Sequence, residues 1–311
     1  MNKLHNCISS KLFKKSLGER FNVSFYKYFL IQSPKEFRNW MYIQFYKLNI
    51  YGRIYVSFEG VNAQISVPIY NFNKMKKILH SLFKNNNIIF INKSINNEYS
   101  FWVLIIKVKK KILSDGLKNF YFNNYLSKFY LKADVVNKFI TQKNVLIIDL
   151  RNSYEYAIGH FNKAFTVPAY TFREQLQKII YMFQYAKNDQ ILIYCTGGIR
   201  CEKASLWMRY HGYRYVYQIK GGIIKYIYDT KKNNLPIFFK GSNFVFDNRL
   251  SENITKNLQS YCWKCYNLCD RYINCKNNFC HKLFIQCNIC LDIFKGYCSS
   301  ECRKIKDKNI N

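Results

Sequence analysis

The stretch Ile191–Tyr213, ILIYCTGGIRCEKASLWMRYHGY, decides how the middle of this chain folds. Ile191 to Tyr194 read as a buried strand, and Glu202 to Gly212 read as an amphipathic helix with Gly212 at its C-terminal end. A strand, a glycine-bearing turn and a helix form the repeating unit of an open α/β sheet, which places its ligands at the carboxyl ends of its strands. Cys195 stands at such an end. Thr196, Gly197, Gly198, Ile199 and Arg200 then lead to the helix. Two glycines remove the Cβ atoms that would stop the backbone curling around the sulfur, so several N–H groups can point at one spot. The helix N-terminus and Arg200 add positive charge there. These surroundings favour thiolate and lower the pKa of the cysteine. Alone after a strand, a cysteine is more often a small buried hydrophobe beside an ordinary turn. The whole pattern C-T-G-G-I-R favours a reactive Cys195.

Working outward, strands and helices alternate. VLIIDL (145–150) is a buried strand, EQLQKIIYMFQYA (174–186) an amphipathic helix, and YVYQIKGG (215–222) a third strand. This alternation argues for a parallel sheet covered on both faces. Upstream the pattern differs. FNVSFYKYFLI (21–31) alternates as a strand and Pro34 opens the helical PKEFRNWMYIQFYKLN (34–49). GRIYVSFEG and VNAQISVP are strands joined around Gly60, NFNKMKKILHSLF (71–83) is helical, and FWVLIIKVKKKI (101–112) closes the unit as an apolar strand. The order βαββαβ is that of a ferredoxin-like or acylphosphatase-like domain. The expected organisation is an extension (1–20), a ferredoxin-like domain (21–118), a parallel α/β domain (130–235), a linker (236–261) and a cysteine-rich module (262–302). No internal repeat is present.

The chain has 311 residues, 49 Lys plus Arg against 18 Asp plus Glu, and a formal charge of +31. Such an excess fits a polyanionic partner, nucleic acid ahead of an acidic membrane surface. It also fits compositional drift, since the chain is crowded with Lys, Asn, Ile, Tyr and Phe. Drift does not explain the scarcity of acidic residues. No run reaches the roughly 20 apolar residues of a membrane span, and the basic N-terminus lacks the apolar core of a secretory signal, so a cytoplasmic location is expected. No nucleotide-binding or flavin-binding motif is seen, and no protein partner is indicated.

The 12 cysteines are unevenly placed. Cys7 looks incidental. Cys201 follows the Cys195 loop by one residue and is placed either to resolve an oxidised Cys195 or simply to pack. Nine more crowd the tail: Cys262, Cys265, Cys269, Cys275, Cys280, Cys287, Cys290, Cys298 and Cys302. Two C-x-x-C pairs, Cys262/Cys265 and Cys287/Cys290, present thiolates at the bite of a tetrahedral zinc ion. Eight ligands serve two ions, leaving spares among the nine cysteines and His281. The rival is a tail that relays redox equivalents to Cys195. The interleaved Trp263, Tyr266, Arg271, Tyr272, Phe279 and Lys282 suit either stacking on RNA bases or a miniature core. The basic run KVKKK (107–111) is a candidate phosphate contact or a solvated strand end.

The loop C-T-G-G-I-R resembles the active-site loop of rhodaneses, whose cysteine carries a persulfide, and IDLRNSYEYAIGHFNKAFTVP (148–168) resembles the strand and turn that open that fold. Four residues separate Cys195 from Arg200; the related phosphatases use five, so the spacing favours sulfur-sized chemistry. The likeness implies that Asp149, Arg151 and Glu155 form a structural ion-pair cluster at the sheet edge. His160 is read as a packing residue. More widely, GRIYVSFEGVNAQISVP, YCTGGIRCEKAS and FKGSNFVFDNRL followed by the cysteine-rich tail occur in the order found in bacterial rhodanese-domain tRNA uridine-34 hydroxylases, from Phe21 to Cys302. That resemblance implies oxygen-dependent formation of 5-hydroxyuridine at the wobble position, with molecular oxygen as co-substrate and the tRNA anticodon region as partner. Chemically, a thiolate adding at uracil C6 leaves a carbanion at C5 and an oxyanion at O4, which Arg200 and the loop N–H groups are placed to serve. A Cys195 persulfide is the other intermediate. The rival functions are plain sulfur transfer and non-catalytic RNA binding.

Overall fold

The computed structural model describes residues 19–83, 90–94, 100–117 and 129–308. Cys7 lies outside them. The chain forms two compact units, Met1–Ser114 and Asp115–Asn311.

The first unit runs β1 (Arg20–Tyr28), α1 (Pro34–Lys47), β2 (Tyr51–Ser57), β3 (Gly60–Pro68), α2 (Phe72–Leu82), β4 (Phe90–Ser94) and β5 (Leu104–Val108). Its sheet order is β4-β1-β3-β2-β5, with β1 antiparallel to both neighbours and β5 parallel to β2. Met41 and Phe45 of α1, and Met75 and Leu79 of α2, recur one helical turn apart and pack with Val23, Ile54, Val61 and Ile65 of the sheet. The ferredoxin-like reading therefore holds, with one correction. The strand that closes βαββαβ is β4 beside β1, not 101–112. The latter segment supplies a shorter fifth strand at the opposite edge, where an apolar run parallel to β2 extends the sheet.

The second unit opens with β6 (Phe129–Leu131), α3 (Ala133–Ile140), β7 (Val145–Asp149), α4 (Ser153–Ala157), β8 (Gly159–Phe161) and β9 (Phe165–Thr166). It continues with α5 (Phe172–Met182), β10 (Gln190–Tyr194), α6 (Ile199–Tyr210), β11 (Tyr215–Ile219) and α7 (Gly222–Lys232). Five parallel strands lie in the order β6-β11-β10-β7-β9. Val136 of α3 with Ile223 and Tyr226 of α7 packs on Leu192 and Tyr194.

Helix α6 departs from expectation. It starts at Ile199, within the loop as read from sequence, and it is not amphipathic: Arg200, Cys201, Glu202, Lys203, Ala204 and Ser205 are all buried. Its charges are tolerated because each has a partner. Arg200 meets Glu155, Lys203 meets Asp115, and Glu202 accepts from the Tyr130 hydroxyl. Residues 236–261, expected as a linker, contain β12 (Phe239–Phe244) and β13 (Ser251–Asn253), which join β8 in an antiparallel sheet of order β13-β12-β8. The tail carries the hairpin β14 (Tyr272–Asn274) and β15 (Leu283–Ile285), then α8 (Asn288–Phe294) and α9 (Ser300–Lys308). No helix among the described residues is long and apolar enough to cross a membrane.

Candidate active site

Strand β10 delivers Cys195 to the carboxyl edge of the parallel sheet, where its side chain is buried at 1% exposure. Gly198 adopts φ +101° and its N–H donates to Cys195 Sγ at 3.1 Å. That φ lies in the left-handed region, where a Cβ is strained. The carbonyls of Cys195 and Thr196 accept from Ile223 N–H at 3.0 Å and Ile224 N–H at 3.2 Å, so the first turn of α7 locks the far side of the loop. Gly222 makes this approach feasible. At its φ of +67° a Cβ would lie 2.5 Å from the Cys195 carbonyl oxygen.

Burial by itself pushes the Cys195 thiol up. A hydrogen bond from the Cys201 thiol, the Arg200 charge, and the N–H groups of Cys201 and Gly198 outweigh it and bring the pKa down from 9.0 to about 6. Cys201 moves the other way: burial, then the bond to Cys195 and the charge of Cys195, hold it well above its ordinary value. One sulfur is therefore set as thiolate and the other as its proton-bearing partner.

Arg200 does not reach for the sulfur. Its guanidinium forks onto Glu155, Nη1 to Oε1 at 2.7 Å and Nη2 to Oε2 at 2.8 Å. The Thr196 hydroxyl donates to the same carboxylate at 3.1 Å, and Asn152 N–H at 2.9 Å closes a capping box at the start of α4. Burial pushes Glu155 up, but Arg200 beside it, then Arg151, hold its carboxyl below the usual range. Asp149 and Arg151 form a separate pair, fully buried, with Arg151 Nη2 at 2.7 Å from Asp149 Oδ2 and also donating to the Gly159 carbonyl. The cluster expected at Asp149, Arg151 and Glu155 is thus two pairs, and Glu155 belongs to the Cys195 loop. Arg200 acts on the thiolate through its charge, while the direct donors come from the backbone and from Cys201. His160 stacks on Tyr156 with ring centroids 4.0 Å apart, a packing role.

In the cysteine-rich tail, two sets of four sulfurs gather. Cys262, Cys265, Cys287 and Cys290 form one set, and Cys275, Cys280, Cys298 and Cys302 the other; within each, all sulfurs lie within 4.8 Å of one another. Cys269 and His281 belong to neither: Cys269 packs beside Cys262 and Cys290 with its backbone N–H paired to the Ser260 carbonyl, and His281 is exposed at φ +50°. The aromatics divide as well. Tyr272 is buried against Phe244 and Tyr154 and donates its hydroxyl to the Tyr154 carbonyl at 2.9 Å, whereas Trp263, Tyr266 and Phe279 are exposed. Lys107, Lys109 and Lys110 are exposed at the end of β5, as either a phosphate contact or a solvated strand end requires.

The chain matches three family models in succession: a UPF0176 acylphosphatase like domain over residues 20–112, a Rhodanese-like domain over 132–228 and a Rhodanase C-terminal domain over 240–303. It is 51% identical over 307 residues to the tRNA uridine(34) hydroxylase of Buchnera aphidicola subsp. Schizaphis graminum, covering 97% of this chain and 98% of that protein. The protein of the same name from Buchnera aphidicola subsp. Acyrthosiphon pisum (strain Tuc7) is 50% identical over 98% of this chain and 95% of its own. That of Photorhabdus laumondii is 44% identical, covering 97% and 87%.

The chain belongs to the tRNA uridine(34) hydroxylase family.

For a member of the tRNA uridine(34) hydroxylases, sequence reading missed three parts of the loop's support. Asp115 and Tyr130 hold α6 from 88 and 72 residues away, with no local pattern to mark them. Gly222 does leave a signal, as the second of two glycines just past the strand Tyr215–Ile219.

Proposed function

We propose that this protein hydroxylates uridine 34 of tRNA at C5, using molecular oxygen as co-substrate, in the cytoplasm, with the anticodon region presented to Cys195. The division into a ferredoxin-like domain, a rhodanese domain with Cys195 and a cysteine-rich module with structural metal belongs to the same reading. The observation that supports Cys195 is its cradle: a buried sulfur set towards thiolate by Cys201, Arg200 and two backbone N–H groups.

The thiolate adds to uracil C6, and the electron pair of the 5,6 double bond moves to C5 and O4. C5 then bonds to oxygen, giving a C5 peroxide that takes up a proton. Two thiol equivalents reduce its O–O bond, releasing water and leaving a disulfide. Loss of the C5 proton expels Cys195 and restores the double bond. The sum is uridine, oxygen and two thiols giving 5-hydroxyuridine, water and a disulfide. Loop N–H groups stabilise the O4 oxyanion best where they are fixed in advance.

The test is nucleoside mass spectrometry on tRNA from cells lacking the protein, complemented with wild type or Cys195→Ala. Wild type restores 5-hydroxyuridine and the variant does not. An unchanged nucleoside level on loss of the protein, with no redundant route present, overturns the reading. One observation favours a second form of the chemistry. At 1% exposure the Cys195 sulfur is recessed, and a persulfide would carry the reacting sulfur outward by one S–S bond, about 2.05 Å. Intact-protein mass spectrometry separates a persulfide from a tRNA adduct, and tRNA-independent thiosulfate turnover would mark plain sulfur transfer.

A further inference from the structure

We infer that the tail binds two zinc ions in a cross-braced pair of tetrathiolate sites, the first held by Cys262, Cys265, Cys287 and Cys290 and the second by Cys275, Cys280, Cys298 and Cys302. This deepens the structural metal of the proposed reading by fixing ion, number and ligands. Four sulfurs about 2.3 Å from one tetrahedral ion stand roughly 3.8 Å apart. Cys265 and Cys287 are 3.6 Å apart, Cys280 and Cys298 3.6 Å, and Cys298 and Cys302 3.5 Å. Disulfides would draw sulfurs together two at a time to about 2.05 Å and leave no reason for four to converge. A multi-iron cluster would hold them farther apart than a single ion does. All-thiolate tetrahedra suit zinc.

The backbone supports the same assignment. Cys287 N–H points at Cys262 Sγ at 3.4 Å, Cys290 N–H at Cys287 Sγ at 3.5 Å, and Cys298 N–H at Cys275 Sγ at 3.4 Å. Such N–H···S bonds steady metal-bound thiolates. Along the chain the pairs alternate: the first and third pairs hold one ion, the second and fourth the other. Each site thus closes across a ligand pair of its neighbour. The apolar material around them is sparse, Ile285 and Phe294 beside one set and Ile273, Phe284 and Tyr297 beside the other. A segment of about 40 residues with so little core needs staples.

The test is elemental analysis of the full-length protein purified under reducing conditions without chelator. Wild type carries two zinc ions per chain and no iron, Cys269→Ser and His281→Ala retain two, and Cys265→Ser and Cys280→Ser each retain at most one. Cobalt titration of the metal-stripped wild type, which needs no variant to fold, gives tetrahedral thiolate absorption saturating at two equivalents. Wild-type zinc below two, an iron chromophore, cobalt saturation at one equivalent, or loss of an ion from Cys269→Ser overturns the assignment. Metal is counted whatever the activity towards tRNA, so failure here and failure of the hydroxylase reading are separate results.

Discussion

At Cys195 two neighbours contribute in different ways, and the pH dependence of alkylation separates them. Because the folded pKa is lowered to about 6, thiolate dominates at neutral pH, and iodoacetamide labelling of Cys195 has its midpoint near that value. The sign follows from the charges: thiolate is lost as pH falls through the folded pKa, and with it the stabilisation gained from Arg200 and the donors. Cys201→Ala removes a donor to the sulfur and moves the midpoint up, whereas Cys201→Ser, which keeps an O–H donor, restores much of the shift. Arg200→Gln also moves it up, and it additionally strands the Glu155 carboxylate, fully buried in the folded protein. Breaking a buried pair from one side costs about 3–5 kcal/mol, which thermal unfolding will register. Equal midpoints in wild type, Cys201→Ala and Arg200→Gln would show that the loop backbone alone sets the thiolate. The sequence made Cys195 and the loop legible because loop chemistry is local. It did not reveal that Glu155 answers Arg200, since 45 residues separate them and the sheet alone brings them together.

Among elements, the junction of β11 and α7 matters as much as the loop it braces. Gly222 sits where any Cβ would meet the carbonyl oxygens of Cys195 and Thr196 at 2.5 and 2.6 Å, both backbone atoms that cannot step aside cheaply. Gly222→Ala is expected to cost at least ~1–2 kcal/mol from the left-handed φ alone, and to weaken the hydrogen bonds from Ile223 and Ile224. Its readouts are a lower melting temperature and slower Cys195 labelling at fixed pH; unchanged labelling would sever α7 from the loop's geometry. Element types were readable where a local signal was plain: Pro34 opening α1, the helical spacing of Met75 and Leu79 in α2, and the continuous apolar runs of β7 and β10. They failed where long-range pairing decided. Strand β4 is chosen by its antiparallel register with β1, Tyr26 opposite Phe90. The first two turns of α6 bury their charged residues because Asp115 and Glu155 pair with Lys203 and Arg200, and the Tyr130 hydroxyl donates to Glu202, from three other segments.

The whole molecule, a member of a family named for acting on tRNA, carries a formal charge of +31. Compositional drift and polyanion recognition predict different salt behaviour. Each phosphate neutralised by Lys or Arg releases condensed counterions, so log affinity falls linearly with log salt, by about 0.7–0.9 per contact. With as few as five phosphates engaged, the slope is about −3.5 to −4.5. The tRNA dissociation constant, measured by filter binding from low to physiological salt, is expected to weaken with a slope at least that steep. Iodoacetamide labelling of Cys195 over the same range serves as the control. Its thiolate is buried among fixed partners, which salt screens far less than exposed charges, so its rate changes little. A flat tRNA dependence would mean that the excess charge does not hold the substrate. Recognition would then rest on stacking and shape, with the exposed Trp263, Tyr266 and Phe279 of the cysteine-rich module the first residues to replace.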